Sequence, residues 1–153
     1  MFNTTIATQI YAKICFEATN SQKKIIENLS EYLSDDDFSR IFVLNGFAGT
    51  GKTTLIAALV AALKELRIKP VLLAPTGRAA KVLAQSAQEK ALTIHKRIYR
   101  QRTNADYESK FSLDFNREQG AVFIVDEASM LSDSTGDGAL FGSGSLLEDL
   151  VSY

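Results

Sequence analysis

Residues 44–56 read LNGFAGTGKTTLI and contain three glycines, Gly46, Gly49 and Gly51. An apolar run precedes this stretch, and an Ala/Leu-rich segment follows it. Glycine weakens regular structure because it has much conformational freedom to lose, but it permits sharp turns and close approach of the backbone to another group. The stretch therefore predicts a tight loop between a strand and a helix.

The spacing Gly46-x4-Gly51-Lys52-Thr53 matches the phosphate-loop pattern G-x4-G-K-[ST]. Glycines let successive N–H groups converge on phosphate oxygens, and the following helix directs its free N–H groups and positive dipole end at the same anion. Lys52 is expected to neutralise the β- and γ-phosphates, and the Thr53 hydroxyl to coordinate Mg²⁺. The expected nucleotide contacts of the loop are Gly46, Ala48, Gly49, Thr50, Gly51, Lys52, Thr53 and Thr54.

A second motif, VFIVDEAS, places Asp126 and Glu127 after four apolar residues. Open α/β sheets bind ligands at the carboxyl ends of their strands. We expect Asp126 to hold Mg²⁺ through water and Glu127 to orient the attacking water, so that Lys52 and Glu127 are the catalytic residues. The second acid favours water over a phosphate-accepting substrate. No Asn-Lys-x-Asp stretch of the kind that reads guanine is present.

Strand and helix patterns alternate along the chain. Apolar runs predict buried strands within 40–46, 69–77 and 121–130, and 110–116 forms a further candidate strand. Helical patterns cover 20–37, 51–69, 78–90 and 146–153. A further helix is expected to open within 93–102, with Thr93 as a candidate N-cap. Because the main strands are apolar on both faces, the pattern predicts an α/β fold with a parallel sheet covered by helices on both sides.

Composition fits a single globular domain: the chain has 153 residues, 46% of them hydrophobic. The single cysteine, Cys15, indicates a reducing compartment and is expected to be a small buried apolar residue. The longest apolar run, 55–63, is about half of what a membrane span needs. The N-terminus lacks the features of a signal peptide, so we expect a cytoplasmic protein with no membrane partner.

Charge is distributed unevenly. Residues 78–102 contain seven Lys or Arg and one acid, whereas residues 121–153 contain six acids and no Lys or Arg. Two solvated faces of opposite sign would explain this pattern. Charge runs are usually of this kind, but a phosphate-backbone surface beside a cation-holding site would also explain the pattern, and charge alone does not separate the two.

Four segments taken together resemble a known family. In order and wording, GFAGTGKTTL, APTGRAAKVL, TIHKRIY and IVDEASML resemble motifs I, Ia, Ib and II of superfamily 1B DNA helicases of the RecD/Dda type. The resemblance runs from about residue 20 to the C-terminus. It implies a RecA-like P-loop NTPase that couples Mg²⁺-dependent ATP hydrolysis to 5′–3′ movement on single-stranded DNA.

The resemblance also implies residue roles. Gln22, in NSQKKII, looks like the Q motif, whose amide reads adenine. No acid–base role is assigned to His95. The residues that match the DNA-side motifs are Pro75, Thr76, Gly77, Arg78, Lys81, Thr93 and His95.

The departures from the family define further expectations. Motif III and motifs IV to VI are not found, so residues 1–153 are interpreted as a partial RecA-like domain 1A, incomplete at its C-terminus. Expected partners are single-stranded DNA, a second RecA-like domain and recombination or repair proteins. In this family a further strand inserts between the motif I and motif II strands. Without that strand we expect marginal stability or self-association.

Two other classes of function stay open at this point. One is an ATP- and DNA-binding module without turnover of its own. The other is a different P-loop enzyme, such as a nucleotide kinase.

Overall fold

The computed structural model describes residues 2–35, 37, 40–47, 49–102, 110–131 and 141–153. These residues form two compact units, Met1–Pro70 with Ser86–Gln88, and Val71–Gln85 with Glu89–Tyr153. In the described ranges no helix is both long enough and apolar enough to cross a bilayer.

Three helices build the first unit: α1 (Phe2–Lys13), α2 (Asn20–Ser34) and α3 (Lys52–Glu65). The sequence predicted α2 and α3 but not α1. Helix α1 packs against both of the others. It buries Ile6 and Ile10 completely, so it is an integral part of the hydrophobic core of this unit.

Helix α2 begins with a reciprocal cap. The Thr19 side chain accepts a hydrogen bond from the Gln22 amide nitrogen, and the Gln22 side chain accepts one from the Thr19 amide nitrogen. This capping box satisfies two N–H groups that a helix start would otherwise leave unpaired. Local sequence therefore determines where the helix starts.

The apolar segment 40–46 does not form the predicted strand. Burial alternates along it, since Phe42 and Leu44 are half-buried while Ile41 and Val43 are 66% and 79% exposed. The Phe42 ring packs on Tyr32 of α2, with centroids 5.4 Å apart. The prediction of a buried strand is wrong here because β-branched composition is only a preference. A strand also needs a hydrogen-bonded neighbour.

The second unit contains a three-stranded sheet in the order β2 (Ala91–Thr93), β1 (Pro70–Ala74), β5 (Val122–Val125). Strands β1 and β2 are parallel, with Leu72 opposite Ala91 and Ala74 opposite Thr93. With its flanking helices this parallel sheet confirms the predicted α/β class. Strand β5 is half-buried and not fully buried as predicted.

Helix α4 (Gly77–Ala87) follows β1, and the short helix α5 (Ile94–Ile98) follows β2. Helix α5 leads directly into an antiparallel hairpin, β3 (Tyr99–Arg102) with β4 (Lys110–Leu113). Helix α6 (Leu146–Ser152) comes last. The candidate strand within 110–116 and the helix within 146–153 are thus confirmed.

A compact apolar cluster supports the second unit. Val71 and Leu73 of β1 pack with Ile94 and Ile98 of α5. Partly buried side chains from the other four strands and from α6 complete the cluster. They include Leu92, Tyr99, Leu113, Phe123 and Leu150. Cys15 lies outside any such core, because its side chain is exposed and not buried as the sequence analysis expected.

Candidate functional site

The glycines of the phosphate loop adopt conformations that other residues rarely tolerate. Gly49 and Gly51 have φ angles of 77° and 86°, in the left-handed region. Side chains with a Cβ are disfavoured there, which explains why glycine occupies both positions. Gly51 is also the N-cap of α3. Ala48 lies outside the described residues.

Lys52 folds back across the loop that precedes it. Its ammonium donates hydrogen bonds of 2.6 Å to the carbonyl oxygen of Gly46 and 2.8 Å to that of Phe47. The Thr50 hydroxyl donates to the same Phe47 oxygen at 2.8 Å. These bonds hold the positive charge against the loop, where an incoming phosphate would meet it.

The first turn of α3 offers unoccupied backbone donors. Gly51 supplies no side-chain cap, and no acidic residue lies in this turn. Thr53 and Thr54 are both exposed on it. The helix start therefore combines free N–H groups with a positive dipole end, which favours an anion.

Gln22 reaches the same loop from α2. Its side-chain nitrogen Nε2 donates to the Thr50 carbonyl oxygen at 3.4 Å. A Cβ placed on Gly51 would lie 3.0 Å from that nitrogen. The first unit thus brings together Gln22 and the predicted phosphate-binding residues, although no sequence motif indicated a direct contact.

In the second unit the predicted DNA-side and hydrolytic residues meet at the carboxyl ends of the three parallel strands, which we call the carboxyl edge. Ala74 and Thr93 are register partners at the ends of β1 and β2. The Asp126 amide nitrogen donates to the Leu73 carbonyl oxygen at 3.0 Å. The carboxyl edge therefore carries Thr93, the segment 75–77 and the pair 126–127.

Asp126 and Glu127 differ in exposure and in backbone conformation. Asp126 is half-buried, whereas Glu127 is exposed and has φ 55° and ψ 35°. This left-handed conformation is uncommon for a residue with a side chain. The Asp126 carboxylate accepts a hydrogen bond of 3.0 Å from the Glu127 amide nitrogen, which helps to hold the turn.

Thr76 and Thr93 both act as helix caps. The Thr76 hydroxyl oxygen accepts from the Ala79 amide at 3.2 Å, at the start of α4. The Thr93 hydroxyl oxygen accepts from the Lys96 amide at 3.2 Å, as the predicted N-cap of α5. Each hydroxyl keeps its own hydrogen available for a ligand oxygen.

The cations expected on the DNA side are accessible in α4 but only partly so in α5. Arg78 and Lys81 are exposed one helical turn apart. Arg97, however, pairs with Glu118 at 3.1 Å and lies over the Tyr153 ring, 5.9 Å from its centroid. One cation of the basic run therefore has a structural contact within the unit.

His95 lies in an aromatic cluster. Its ring is 5.1 Å from that of Phe141, in an edge-on arrangement, and 5.6 Å from that of Tyr99. Phe111 stacks on Phe141 at 4.5 Å. These contacts give His95 a packing role beside the hairpin.

A buried carboxylate that sequence reasoning missed lies beside this cluster. Asp149 is 7% exposed and accepts a 2.6 Å hydrogen bond from the Tyr99 hydroxyl and a 3.0 Å bond from the Ser143 amide. Burial acts to raise the pKa of Asp149, but the hydrogen bonds from Tyr99 and Ser143 outweigh it and leave the pKa lowered. Burial and the bond to Asp149 raise the pKa of Tyr99.

The Thr53 hydroxyl in the first unit and the Asp126 carboxylate in the second unit are each an oxygen ligand of the kind that suits Mg²⁺. Magnesium keeps several waters and usually takes one or two carboxylates together with substrate phosphates. Among the residues that the structure describes, no three His, Cys, Asp or Glu side chains form a cluster that could hold a metal by itself. A magnesium ion carried mainly by nucleotide and water is the kind that these donors suit.

A family model described as an AAA domain matches residues 17–140, most of the chain. The chain belongs to this family. The AAA domain is a P-loop ATPase domain, which agrees with the left-handed glycines and the folded-back lysine of the loop. The narrower RecD/Dda assignment stays a prediction. Helix α1 lies outside the matched residues but inside the core of the first unit.

Proposed function

We propose that this AAA-domain chain is the ATP-hydrolysing part of a DNA helicase, which uses Mg²⁺ and ATP to move along single-stranded DNA in the 5′–3′ direction. The family match supports ATP binding and hydrolysis. The DNA substrate and the direction rest on the resemblance of the four motifs to superfamily 1B helicases.

The observation that carries the proposal is the shared carboxyl edge of the second unit. Thr76 follows β1 and Thr93 ends the neighbouring parallel strand β2, and both match the DNA-side motifs. The Asp126 amide is hydrogen-bonded to Leu73 of β1. Residues proposed to touch DNA and a residue proposed to hold Mg²⁺ thus belong to one small sheet. A shift of this sheet during hydrolysis would move both sets together.

On the nucleotide side, the Lys52 ammonium stabilises the charge on the β- and γ-phosphates. Glu127 orients the attacking water and accepts its proton. Thr53 and Asp126 are the residues that would hold a magnesium ion, which when bound would neutralise charge on the phosphate oxygens. The Gln22 amide reads the adenine base.

On the DNA side, Arg78 and Lys81 contact the phosphate backbone of one strand without reading sequence. Their exposure and spacing on α4 suit successive phosphates. The Thr76 and Thr93 hydroxyl oxygens already cap helices, so their hydrogens donate to phosphate oxygens of the DNA backbone.

The deciding experiment measures ATP hydrolysis with and without single-stranded DNA, in the longest available form of the protein. Stimulation by single-stranded DNA but not by blunt duplex DNA supports a helicase. Binding of both ligands without turnover indicates a binding module. Phosphorylation of an added nucleoside monophosphate, with no response to DNA, would establish the kinase alternative.

A further inference from the structure

We infer that Gln22 positions the phosphate loop itself, in addition to any contact with the base, through its hydrogen bond to the Thr50 carbonyl. This inference rests on the proposed nucleotide site. It assigns Gln22 an effect on phosphate binding that does not depend on adenine.

The orientation of the Gln22 amide is determined by its partners. Its oxygen Oε1 accepts from the Thr19 amide at 2.9 Å, and its nitrogen Nε2 faces the Thr50 carbonyl at 3.4 Å. The reversed amide would place two donors together at Thr19 and two acceptors together at Thr50. The capping box of α2 therefore directs an N–H group of Gln22 at the loop.

Gln22 contacts the peptide between Thr50 and Gly51, whose orientation determines where the Gly51 N–H points. The Thr50 carbonyl and the Gly51 N–H belong to the same planar trans peptide, so they point in opposite directions. Holding the carbonyl on the Gln22 side turns the Gly51 N–H away from Gln22. That N–H belongs to the residue that caps α3, at the proposed phosphate site.

This peptide needs such a restraint because of its neighbours. Gly49 and Gly51 flank Thr50, and both have positive φ. Glycine samples several conformations at little cost, so the peptide between Thr50 and Gly51 would otherwise rotate easily. An external hydrogen bond limits that freedom and reduces the ordering cost that phosphate binding would incur.

The hydrogen bond from Gln22 to the Thr50 carbonyl, which we call the brace, leaves Gln22 able to read adenine. A glutamine amide has two N–H groups and two acceptor sites. Thr50 and Thr19 use one of each, which leaves one donor and one acceptor. The adenine edge requires this combination, at N7 and N6 respectively.

The test compares Gln22→Leu with Thr19→Ala. The leucine has similar size but no hydrogen-bonding group, so it removes the brace. The alanine removes the cap hydroxyl of α2 but keeps the Thr19 N–H that orients Gln22. Asn28→Ala, an exposed amide on the same helix, is the neutral control.

Two measurements are made on each variant. The first is the affinity for inorganic tripolyphosphate and for ATP, both with Mg²⁺. We expect Gln22→Leu to weaken tripolyphosphate binding about tenfold, the scale of one hydrogen bond, and ATP binding by more. Thr19→Ala should change tripolyphosphate affinity by less than about twofold, although its loss of a cap lowers the melting temperature.

The second measurement is hydrogen exchange of the amides of residues 49–52 without ligand. Faster exchange in Gln22→Leu, but not in Thr19→Ala, supports the brace. Unchanged exchange together with unchanged tripolyphosphate affinity would overturn it and leave Gln22 a reader of the base alone. Failure of the unaltered protein to bind ATP would instead overturn the proposed function, and the exchange experiment would still report on the brace.

Discussion

The Lys52 ammonium donates a 2.6 Å hydrogen bond to the Gly46 carbonyl oxygen, six residues earlier in the chain. This contact closes the phosphate loop on itself. It joins the first glycine of the motif to the lysine of the motif, so the Lys52 side chain both shapes the loop and supplies its charge.

Lys52→Ala should therefore abolish productive ATP binding or turnover, since it removes the cation of the loop and two of its internal hydrogen bonds. Equilibrium binding of ATP and steady-state hydrolysis measure the effect. Lys64→Ala, at the other end of α3, serves as the control. Wild-type ATPase activity in Lys52→Ala would contradict the assignment of this lysine.

Glu127→Gln should separate nucleotide binding from hydrolysis. The amide keeps the shape of the side chain but cannot accept a proton from water, so turnover should fall by ~10² or more. Mg-ATP affinity should stay near normal, because the change leaves the loop and Asp126 intact. Single-turnover hydrolysis and nucleotide titration distinguish the two, and an undiminished rate would mean that another group activates water.

Arg78→Ala and Lys81→Ala should each weaken binding to single-stranded DNA regardless of sequence. Removal of one phosphate contact should reduce the salt dependence of binding by about one unit of slope or less. Fluorescence anisotropy over a range of salt concentrations measures this. Lys24→Ala, an exposed cation on α2, is the charge-matched control. If slope and affinity both stay the same, these side chains face solvent alone.

Tyr99→Phe should destabilise the second unit by about 1–3 kcal/mol at neutral pH, because a buried carboxylate loses a donor. The Asp149 part of this stabilisation is fully present above its unfolded pKa, about 3.9, and is lost as pH falls through the lower folded pKa. The Tyr99 part is fully present below its unfolded pKa, about 10, and is lost as pH rises towards the higher folded pKa.

Chemical unfolding of the unaltered protein and of Tyr99→Phe across this pH range checks the expectation. The difference in free energy of unfolding should be largest between about pH 5 and pH 9 and shrink on both sides. A difference that does not vary with pH would show that the Tyr99 hydroxyl acts without the Asp149 charge.

Arg67→Gly should stabilise the first unit by about 0.5–1 kcal/mol. Arg67 follows α3 with φ 59°, and its amide donates to Lys64 while the Ile68 amide donates to Leu63. This pair of bonds is the Schellman arrangement, in which glycine is the preferred residue. Lys64→Gly, inside the helix, should have the opposite effect. Thermal melts of both variants give the sign, and destabilisation by Arg67→Gly would mean that the arginine side chain contributes more than the backbone strain costs.

Much of the nucleotide loop followed from local sequence. Glycine spacing, a lysine and a following helix former act within about ten residues of each other. A tight loop at Gly49 and Gly51 and the charge role of Lys52 were therefore predictable before any tertiary contact was known. The predicted cap at Thr93 was equally local, because a hydroxyl reaches only the next turn of its own helix. The cap at the start of α2 is just as local but was not predicted.

The extended elements were less predictable. Segment 40–46 and strand β5 have similar apolar composition, yet only β5 pairs with a neighbour among the described residues. Composition states a preference for strand structure, whereas pairing depends on which backbone lies alongside. Helix α1 was missed for a related reason. Ile6 and Ile10 can be recognised as core residues only when α2 and α3 are seen to pack over them.

The sequence by itself thus determined the phosphate loop, the helices α2, α3 and α4 and the α/β class, because these depend on residue spacing over one or two turns. Tertiary structure alone decided that the ends of β1, β2 and β5 share an edge, that Gln22 touches Thr50, and that Asp149 is buried under Tyr99. Gln22 and Thr50 are 28 residues apart in the chain, and Tyr99 and Asp149 are 50 residues apart. Only the folded chain brings such distant polar groups within hydrogen-bonding distance.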